Sequence, residues 1–298
     1  MTKFAFAAVL ALSSALPWTA AHAADPTPNC SRCAEWNTEQ EPFALYGNSY
    51  YVGVHGLSSV LITSPAGHVL IDGDLPQSAP LVAAHIRALG FRVEDIKYIL
   101  SSHAHFDHAG GIAQLQRWSG ATVLGSPSNV QALAQGHTGK DDPQYGDSTG
   151  YEPVANTRAV RDGEVLRVGA LAITAHWTPG HTPGGTSWTW QSCEDGVCKN
   201  MVYADSVTAF SNDSFKYLAS PDYPNAAADV EHSIATLRNL PCDVLVSAHP
   251  EASDLWTRAA RRAEMGSKAF IDTGACRRYA DQMLEIWQER LAQEHAAH

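Results

Sequence analysis

The stretch His103-Ala104-His105-Phe106-Asp107-His108 decides how the rest of this 298-residue chain is interpreted. It follows the short apolar run Ile96–Leu100, which predicts a strand, and it precedes a predicted helix at Gly111–Trp118. Two histidines separated by one residue in extended backbone point to the same side, and Asp107 and His108 then turn toward that side from the loop. Burying four polar side chains without partners is costly, so the pattern requires a common partner.

A divalent metal ion is the partner that this set of side chains favours, because neutral imidazole and carboxylate are typical ligands of zinc. Two further histidines lie in similar places. His181 lies in the Pro/Gly-rich turn Trp177–Gly185, and His249 follows the apolar stretch Val244–Ser247. Six ligands at strand ends are enough for two metal ions with open positions for water. The predicted metal ligands are His103, His105, Asp107, His108, His181 and His249.

The remaining patterns alternate between strands and helices and predict an α/β fold with enough strands for two sheets. Residues 24–44 are interpreted as an irregular lead-in, and a long C-terminal helix is predicted from about Ser267 to Ala292. Residues 136–156 form a polar loop whose length is typical of functional or mobile segments. The chain has no linker long enough to divide it, so residues 24–298 are predicted to be one domain.

The N-terminal residues predict export. Phe4–Leu16 is an apolar run too short to span a bilayer, and Ala21-His22-Ala23 has the small-x-small pattern of a cleavage site. Residues 1–23 are therefore predicted to be a signal peptide of a periplasmic protein that has no membrane contact after cleavage. An N-terminal membrane anchor is the alternative. The net charge of −11 argues against a nucleic-acid partner.

Export permits disulfides, and the six cysteines are an even number. Cys193 and Cys198 flank a turn-like stretch, which suits a bridge across the mouth of a hairpin. Cys242 precedes a predicted strand, so a bridge to Cys276 would hold the C-terminal helix against the sheet. For the Cys30-x-x-Cys33 pair a local disulfide and a loosely placed pair both remain open, because no strand–CxxC–helix context supports a redox motif.

The motif at residues 103–108, with His181 in a Pro-Gly-His turn and His249 after a late strand, resembles the metallo-β-lactamase superfamily. The resemblance extends from about Tyr46 to Tyr279. It implies a single-domain αββα sandwich with a two-metal site at one edge. The superfamily includes lactonases, thioesterases of the glyoxalase II type and nucleases, so the motif by itself does not specify the substrate.

Finer features resemble subclass B3 of the β-lactamases. The stretch Tyr203–Thr208 is similar to the region where subclass B3 has a serine and no metal-bridging carboxylate, and Gly184–Trp190 and the two later cysteine pairs are also B3-like. Subclass B1 would have a cysteine ligand near position 206, and subclass B2 an asparagine in place of His103. Asp205 is adjacent to Ser206, so a shift of one residue would restore the bridging aspartate of glyoxalase-type members.

The resemblance also implies two Zn²⁺ ions per chain and a role for each site residue. One zinc ion is expected on His103, His105 and His181, and the other on Asp107, His108 and His249. A hydroxide held between the ions is expected to attack the lactam carbonyl, with Asp107 as the catalytic residue that orients it. Ser206 and Thr208 are the candidates for binding the substrate carboxylate, and Gln144 is a further candidate for contacting the ligand.

The implied function is zinc-dependent hydrolysis of the β-lactam amide bond of penicillins, cephalosporins and carbapenems, which confers antibiotic resistance. The expected partner is a small-molecule β-lactam, and the protein is expected to be a monomer. Two alternatives remain open. One is another hydrolase on the same fold, a lactonase or a thioesterase. The other is a periplasmic zinc-binding protein without catalysis, whose metal positions would all be filled by side chains.

Overall fold

The computed structural model describes residues 1–2 and 30–296. The predicted signal peptide, residues 1–23, therefore lies outside the described residues except at its first two positions. No helix in the described part of the chain combines the length and the apolar character that crossing a bilayer requires.

Two β-sheets form the centre of the fold. The first sheet contains β1 (Phe43–Tyr46), β2 (Ser49–Tyr51), β3 (Val60–Ile62), β4 (His68–Ile71), β5 (Ile96–Leu100), β6 (Thr122–Gly125) and β7 (Thr157–Ala159), in that order. The second sheet has the order β12–β11–β10–β9–β8. Its strands are β8 (Val165–Val168), β9 (Leu171–Trp177), β10 (Thr186–Glu194), β11 (Val197–Ala204) and β12 (Val244–Ser247). Pairing is antiparallel from β1 to β4 and from β8 to β11, and parallel from β4 to β7 and between β11 and β12.

Helices cover the outer faces of both sheets. The α-helices of the described residues are α1 (Cys33–Trp36), α2 (Ala79–Ala88), α3 (Phe106–Ala109), α4 (Ile112–Ser119), α5 (Pro127–Gln135), α6 (Ala226–Asn239), α7 (Leu255–Ala259), α8 (Arg262–Met265) and α9 (Ala275–Ala296). The sheets pack face to face through an apolar layer that includes Tyr51, Trp188 and Tyr203. A second layer joins α2 and α4 to the first sheet, and a third joins α6 and α9 to the second. This arrangement confirms the predicted αββα sandwich.

Apolar runs that are buried on both faces explain the central strands. Every residue of β3, β4 and β12 is buried, which is the pattern of strands enclosed between a helix layer and a second sheet. The strands β5, β9, β11 and β12 run in directions that place their carboxyl ends at one edge of the sandwich. The segments that follow these strands contain the residues singled out in the sequence.

Two sequence predictions about element boundaries were wrong. Phe43–Tyr46, partly assigned to an irregular lead-in, forms β1, because Phe43 stacks on Tyr51 and Phe270 in the core. The C-terminal helix begins at Ala275 and not at Ser267. Residues 266–270 form a 3₁₀ helix that buries Phe270, and the Asp272 carboxylate then accepts a hydrogen bond from the Gly274 N–H just before α9.

All six cysteines form disulfides. Cys193–Cys198 joins directly paired positions of β10 and β11, and Cys242–Cys276 ties the segment before β12 to α9, as predicted. The pair for which the sequence left two possibilities open, Cys30–Cys33, is a local disulfide at the beginning of α1.

Candidate metal centre and active-site cleft

The 103–108 motif is a short extended stretch followed by one helical turn. Residues 103–105 continue from the end of β5, and α3 then carries Asp107 and His108. The turn is closed by main-chain bonds from the N–H groups of His108 and Ala109 to the His105 carbonyl, at 3.1 and 2.8 Å. The change from extended to helical backbone directs all four polar side chains to one point.

A rigid turn presents His181 from the second sheet. Gly180 has a φ of +129°, a conformation that favours glycine, and an added Cβ would lie 2.8 Å from the Val230 nitrogen on α6. Ser233 of the same helix donates a hydrogen bond of 2.6 Å to the Pro179 carbonyl. The turn is therefore held against α6, which leaves the His181 side chain facing the motif.

The structure brings the six predicted ligands together as two adjacent groups. Ligand atoms of His103, His105 and His181 lie within 4.8 Å of one another, and those of His103, Asp107 and His108 do so as well. His249 completes the second group, because its Nε2 lies 3.3 Å from Nε2 of His108 and 3.5 Å from Oδ2 of Asp107. All six predicted ligands therefore lie together in candidate metal-binding groups.

Buried carboxylates hold two of the imidazoles. Oδ1 of Asp205 lies 2.7 Å from Nδ1 of His103, and both carboxylate oxygens of Asp142 lie 3.1 Å from Nε2 of His105. A carboxylate on one ring nitrogen orients the ring and leaves the lone pair of the other nitrogen free for a metal. Asp205 thus lies behind His103 and is not among the grouped ligand atoms, so the possibility of a bridging carboxylate at this position is not supported by the geometry.

Main-chain carbonyls hold two other imidazoles. Nδ1 of His181 lies 2.9 Å from the Thr208 carbonyl, and Nδ1 of His249 lies 3.3 Å from the Gly56 carbonyl. Both contacts direct Nε2 of the ring toward the cluster. Four of the five histidines therefore have one nitrogen engaged by the protein and the other turned to the site.

A third buried carboxylate lies beneath the cluster. Asp72 accepts hydrogen bonds from the Ser102 N–H, the Ser102 hydroxyl and the Tyr203 hydroxyl at 2.6–2.7 Å, and its Oδ2 lies 3.9 Å from Nδ1 of His108. Burial raises the pKa of Asp72 to about 7. Asp72 directly follows β4, and its backbone φ is +59°. Asp72 therefore connects the ends of β4, β5 and β11 below the ligands.

Burial controls the protonation of the site. It lowers the pKa of His103, His108 and His181, the last to about 3, so these imidazoles are neutral and can bind a metal at neutral pH. Burial alone would raise the pKa of Asp107, but the neighbouring His108 and His249 hold it well below its ordinary value. The second group thus contains an ionised carboxylate.

One nitrogen supports a metal site in particular. Nε2 of His103 is buried and has no hydrogen-bond partner among the described residues. It lies between two groups of nitrogen and oxygen donors that suit zinc. An unpaired buried nitrogen in this position is costly unless an ion binds it.

Comparison with known proteins agrees with the geometry. Residues 52–249 match the family model of the metallo-beta-lactamase superfamily. The chain belongs to the metallo-β-lactamase superfamily. Within this superfamily it is similar to the crystal structure of MEM-A1, a subclass B3 metallo-beta-lactamase isolated from a soil metagenome library. The two are 59% identical, the match covers 88% of this chain and all of that one, and the TM-score is 0.87. The Rm3 metallo-beta-lactamase is 58% identical over 90% of this chain and all of its own, with a TM-score of 0.88.

Curated relatives in the same superfamily match less of the chain. A hydroxyacylglutathione hydrolase of Anaeromyxobacter dehalogenans is 32% identical over 132 residues, which is 44% of this chain and 41% of that protein. The chain thus spans about two fifths of the length of this relative. The resemblance to subclass B3 that the sequence indicated is therefore supported over the full length of the solved structures.

A cleft of about 300 Å³ opens on the two ligand groups of this superfamily member. All three predicted substrate-contacting residues, Gln144, Ser206 and Thr208, line it. The Gln144 side-chain nitrogen lies 3.4 Å from both Nδ1 of His105 and Nε2 of His181. Part of Thr208 is already engaged, because its hydroxyl and its carbonyl both contact Nδ1 of His181.

Sequence reasoning missed the residues that orient the ligands. Asp142 lies in the polar loop 136–156. The length of this loop predicted that the loop is functional or mobile, but it did not single out Asp142. Asp72 and Gly56 carry no local pattern that predicts a contact with a histidine far along the chain. Asp205 was singled out, but for a bridging position and not for its contact with His103.

Proposed function

We propose that the protein hydrolyses the β-lactam amide bond with two zinc ions, as a subclass B3-like enzyme. The single observation that carries the proposal is the pair of adjacent ligand groups on one cleft, with Asp205 behind His103 and outside the space between the groups. The similarity to solved subclass B3 structures at 58–59% identity supports it.

The described residues fit the metal pair. His103, His105 and His181 would hold one zinc ion, and Asp107, His108 and His249 the other. Bound zinc lowers the pKa of water toward neutrality and so supplies a nucleophile at working pH. The protein contributes neutral imidazoles and a cleft that opens on the ligands.

Asp107 is the proposed catalytic residue of this chain. Its carboxylate stays ionised beside two histidines, and its side chain is 11% exposed, so one face reaches the cleft. An ionised carboxylate in this position can orient a water molecule and accept its proton. These two properties support Asp107 as the group that would handle the proton beside the reacting carbonyl.

The hydroxyls of Ser206 and Thr208 are the proposed donors for the substrate carboxylate. Both residues lie in the segment after β11 and line the same cleft as the ligands. Gln144 lines the same cleft from the loop before β7. A substrate whose carboxylate binds Ser206 would be oriented with its lactam ring over the metal ligands.

Periplasmic export through residues 1–23 and action as a monomer are parts of the same proposal. The three disulfides are typical of an oxidising compartment. Hydrolysis of a small-molecule β-lactam in that compartment would confer resistance to the antibiotic.

A lactonase or thioesterase activity on the same fold is the second candidate, because the curated relatives include hydroxyacylglutathione hydrolases and an N-acyl homoserine lactonase. The position of Asp205 disfavours it, since the resemblance associates glyoxalase-type members with a bridging aspartate. A zinc-binding protein without catalysis is disfavoured because the ligand groups open to a cleft.

A substrate panel tests the proposal. The purified protein should hydrolyse a carbapenem, should lose this activity with a chelator and should regain it with zinc. The double variant His103→Ala, His181→Ala should be inactive. Faster cleavage of an acyl-homoserine lactone or of S-lactoylglutathione than of every β-lactam would reassign the substrate.

A further inference from the structure

The N-terminal segment Cys30–Trp36 lies at the cleft but has no part in the proposed reaction. The Cys30–Cys33 disulfide closes a turn, and the Cys33 N–H donates to the Cys30 carbonyl at 3.3 Å. From this turn, Arg32 and Trp36 extend to line the same cleft as the metal ligands. A segment far from the motif in sequence therefore forms one wall of the site.

The inner side of the segment packs on the framework that carries the ligands. Cys33 is buried in an apolar cluster with Val54, Leu57 and Leu75, and Phe106 packs against the same cluster. Phe106 belongs to the 103–108 motif. The disulfide thus fixes the position of the segment relative to the ligands of the second metal group.

Trp36 is connected to the ligand His249 through one residue. The two rings lie 5.3 Å apart between centroids. The Gly56 N–H donates to the Trp36 carbonyl at 3.0 Å, and the Gly56 carbonyl accepts from Nδ1 of His249 at 3.3 Å. An added Cβ at Gly56 would lie 2.6 Å from the Trp36 Cα, so the close approach requires glycine.

The wall is aromatic and has little free charge. The Arg32 guanidinium lies 5.2 Å from the centroid of the Trp36 ring and pairs with Glu35 at 3.1 Å, so its charge is compensated. Phe210, 64% exposed, lines the cleft from the segment after β11. An exposed aromatic ring at the mouth of a cleft is typical of a binding surface.

We propose that the Cys30–Cys33 disulfide is a positioning element that holds Trp36 as a specificity-determining side chain, which contacts the aromatic acyl side chain of a β-lactam. The proposal rests on the proposed function. The disulfide acts through Trp36, which it keeps against Gly56 and His249. Substrates with a small acyl side chain do not reach this wall and are independent of it.

A double-mutant cycle tests the proposal with a benzyl-substituted penicillin and a carbapenem. The variants are Cys30→Ala with Cys33→Ala, Trp36→Ala, and the three substitutions together. Each is expected to raise KM for the penicillin by about tenfold, the scale of one aromatic contact, with kcat and the carbapenem constants nearly unchanged. The combined variant should be no worse than Trp36→Ala, because the two changes remove one interaction.

The matched control is Cys193→Ala with Cys198→Ala, which removes a local disulfide from the β10–β11 hairpin without a contact to the cleft residues. It should leave both substrates unaffected. Amide hydrogen exchange gives a second readout. The His55 and Gly56 N–H groups donate to the Thr38 and Trp36 carbonyls at 2.8 and 3.0 Å. Their exchange should be faster in the variants that lack the Cys30–Cys33 disulfide and unchanged in the Cys193/Cys198 control.

The possible outcomes distinguish a failure of the proposed function from a failure of the inference about the Cys30–Cys33 disulfide. Wild-type protein that hydrolyses neither substrate overturns the proposed function. Active wild-type protein whose penicillin KM is unaffected by the Cys30/Cys33 substitutions overturns the inference alone. Additive effects in the combined variant, or an equal loss of kcat with both substrates, also overturn it, because the disulfide would then act through general stability.

Discussion

Oδ1 of Asp205 lies 2.7 Å from Nδ1 of His103, and Nε2 of the same ring is left buried and without a partner among the described residues. This relationship explains how a carboxylate adjacent to Ser206 takes part in the site without standing between the two ligand groups. The aspartate orients the imidazole, and the unpaired nitrogen becomes the atom that a metal would bind. His105 is held in the same way, because Asp142 contacts its Nε2 and leaves Nδ1 as the nitrogen that a metal would bind.

Asp205→Asn should weaken zinc binding by about tenfold, because the neutral amide orients His103 but no longer increases the basicity of its ring. Zinc affinity is measured by competition with a chromophoric chelator. Asp195→Asn, at the tip of the β10–β11 hairpin, is the control and should bind zinc like wild type. An Asp205→Asn variant with unchanged affinity would show that the carboxylate is not needed for metal binding.

Asp142→Asn should reduce zinc affinity and also disturb Gln144. The Asp142 carboxylate contacts Nε2 of His105 and accepts from the Gln144 N–H at 2.8 Å, so both contacts depend on it. We expect about tenfold weaker zinc binding together with a higher KM. Asp141→Asn is the matched control, since no contact among residues 30–296 links that neighbouring carboxylate to a metal ligand. Equal effects of the two substitutions would contradict the assignment.

Ser206→Ala should raise KM by about tenfold with little change in kcat, the pattern expected when a contact is made equally in the ground and transition states. Steady-state kinetics with a penicillin and its methyl ester measure this effect, because only the free acid has the carboxylate. Ser211→Ala, farther along the same segment, is the control. A fall in kcat at constant KM would instead place Ser206 at the reacting atoms.

His181→Gln should change how the stability of the metal-free protein depends on pH. Burial and the nearby His105 lower the pKa of His181 to about 3, whereas an unfolded histidine titrates near 6.5. Between pH 3 and pH 6.5 only the unfolded chain binds this proton. The contribution of His181 to the free energy of unfolding is therefore fully present above pH 6.5 and is lost as the pH falls toward 3. The variant lacks this group and does not suffer this loss. When the pH is lowered from 7.5 to 5, its free energy of unfolding should therefore rise relative to that of wild type by up to about 2 kcal/mol.

Urea unfolding of both metal-free proteins at the two pH values measures the difference. His232→Gln, which alters a histidine on α6 outside the cleft, is the control and should show no such gain. A stability difference between wild type and His181→Gln that does not vary with pH would mean that the imidazole is not kept neutral by the fold.

The sequence by itself determined the fold class and the set of candidate ligands. Local spacing carries this information, because His103, His105, Asp107 and His108 follow one strand, and His181 and His249 each follow another. Alternating strand and helix patterns predicted an α/β fold with enough strands for two sheets, and the resemblance to the superfamily implied the αββα sandwich. The exact spans of β5 and β12 were visible as short apolar runs. The ligand roles stay predictions until metal is measured.

Only the tertiary structure decided what surrounds those ligands. Asp205 and His103 are 102 residues apart, and Gly56 and His249 are 193 apart, so no periodic pattern connects them. Their contacts exist because two sheets bring distant strand ends to one edge and because buried polar atoms there must find partners. The sequence also left the pairing of Cys30 and Cys33 open, and the structure shows that they form a local disulfide at the beginning of α1.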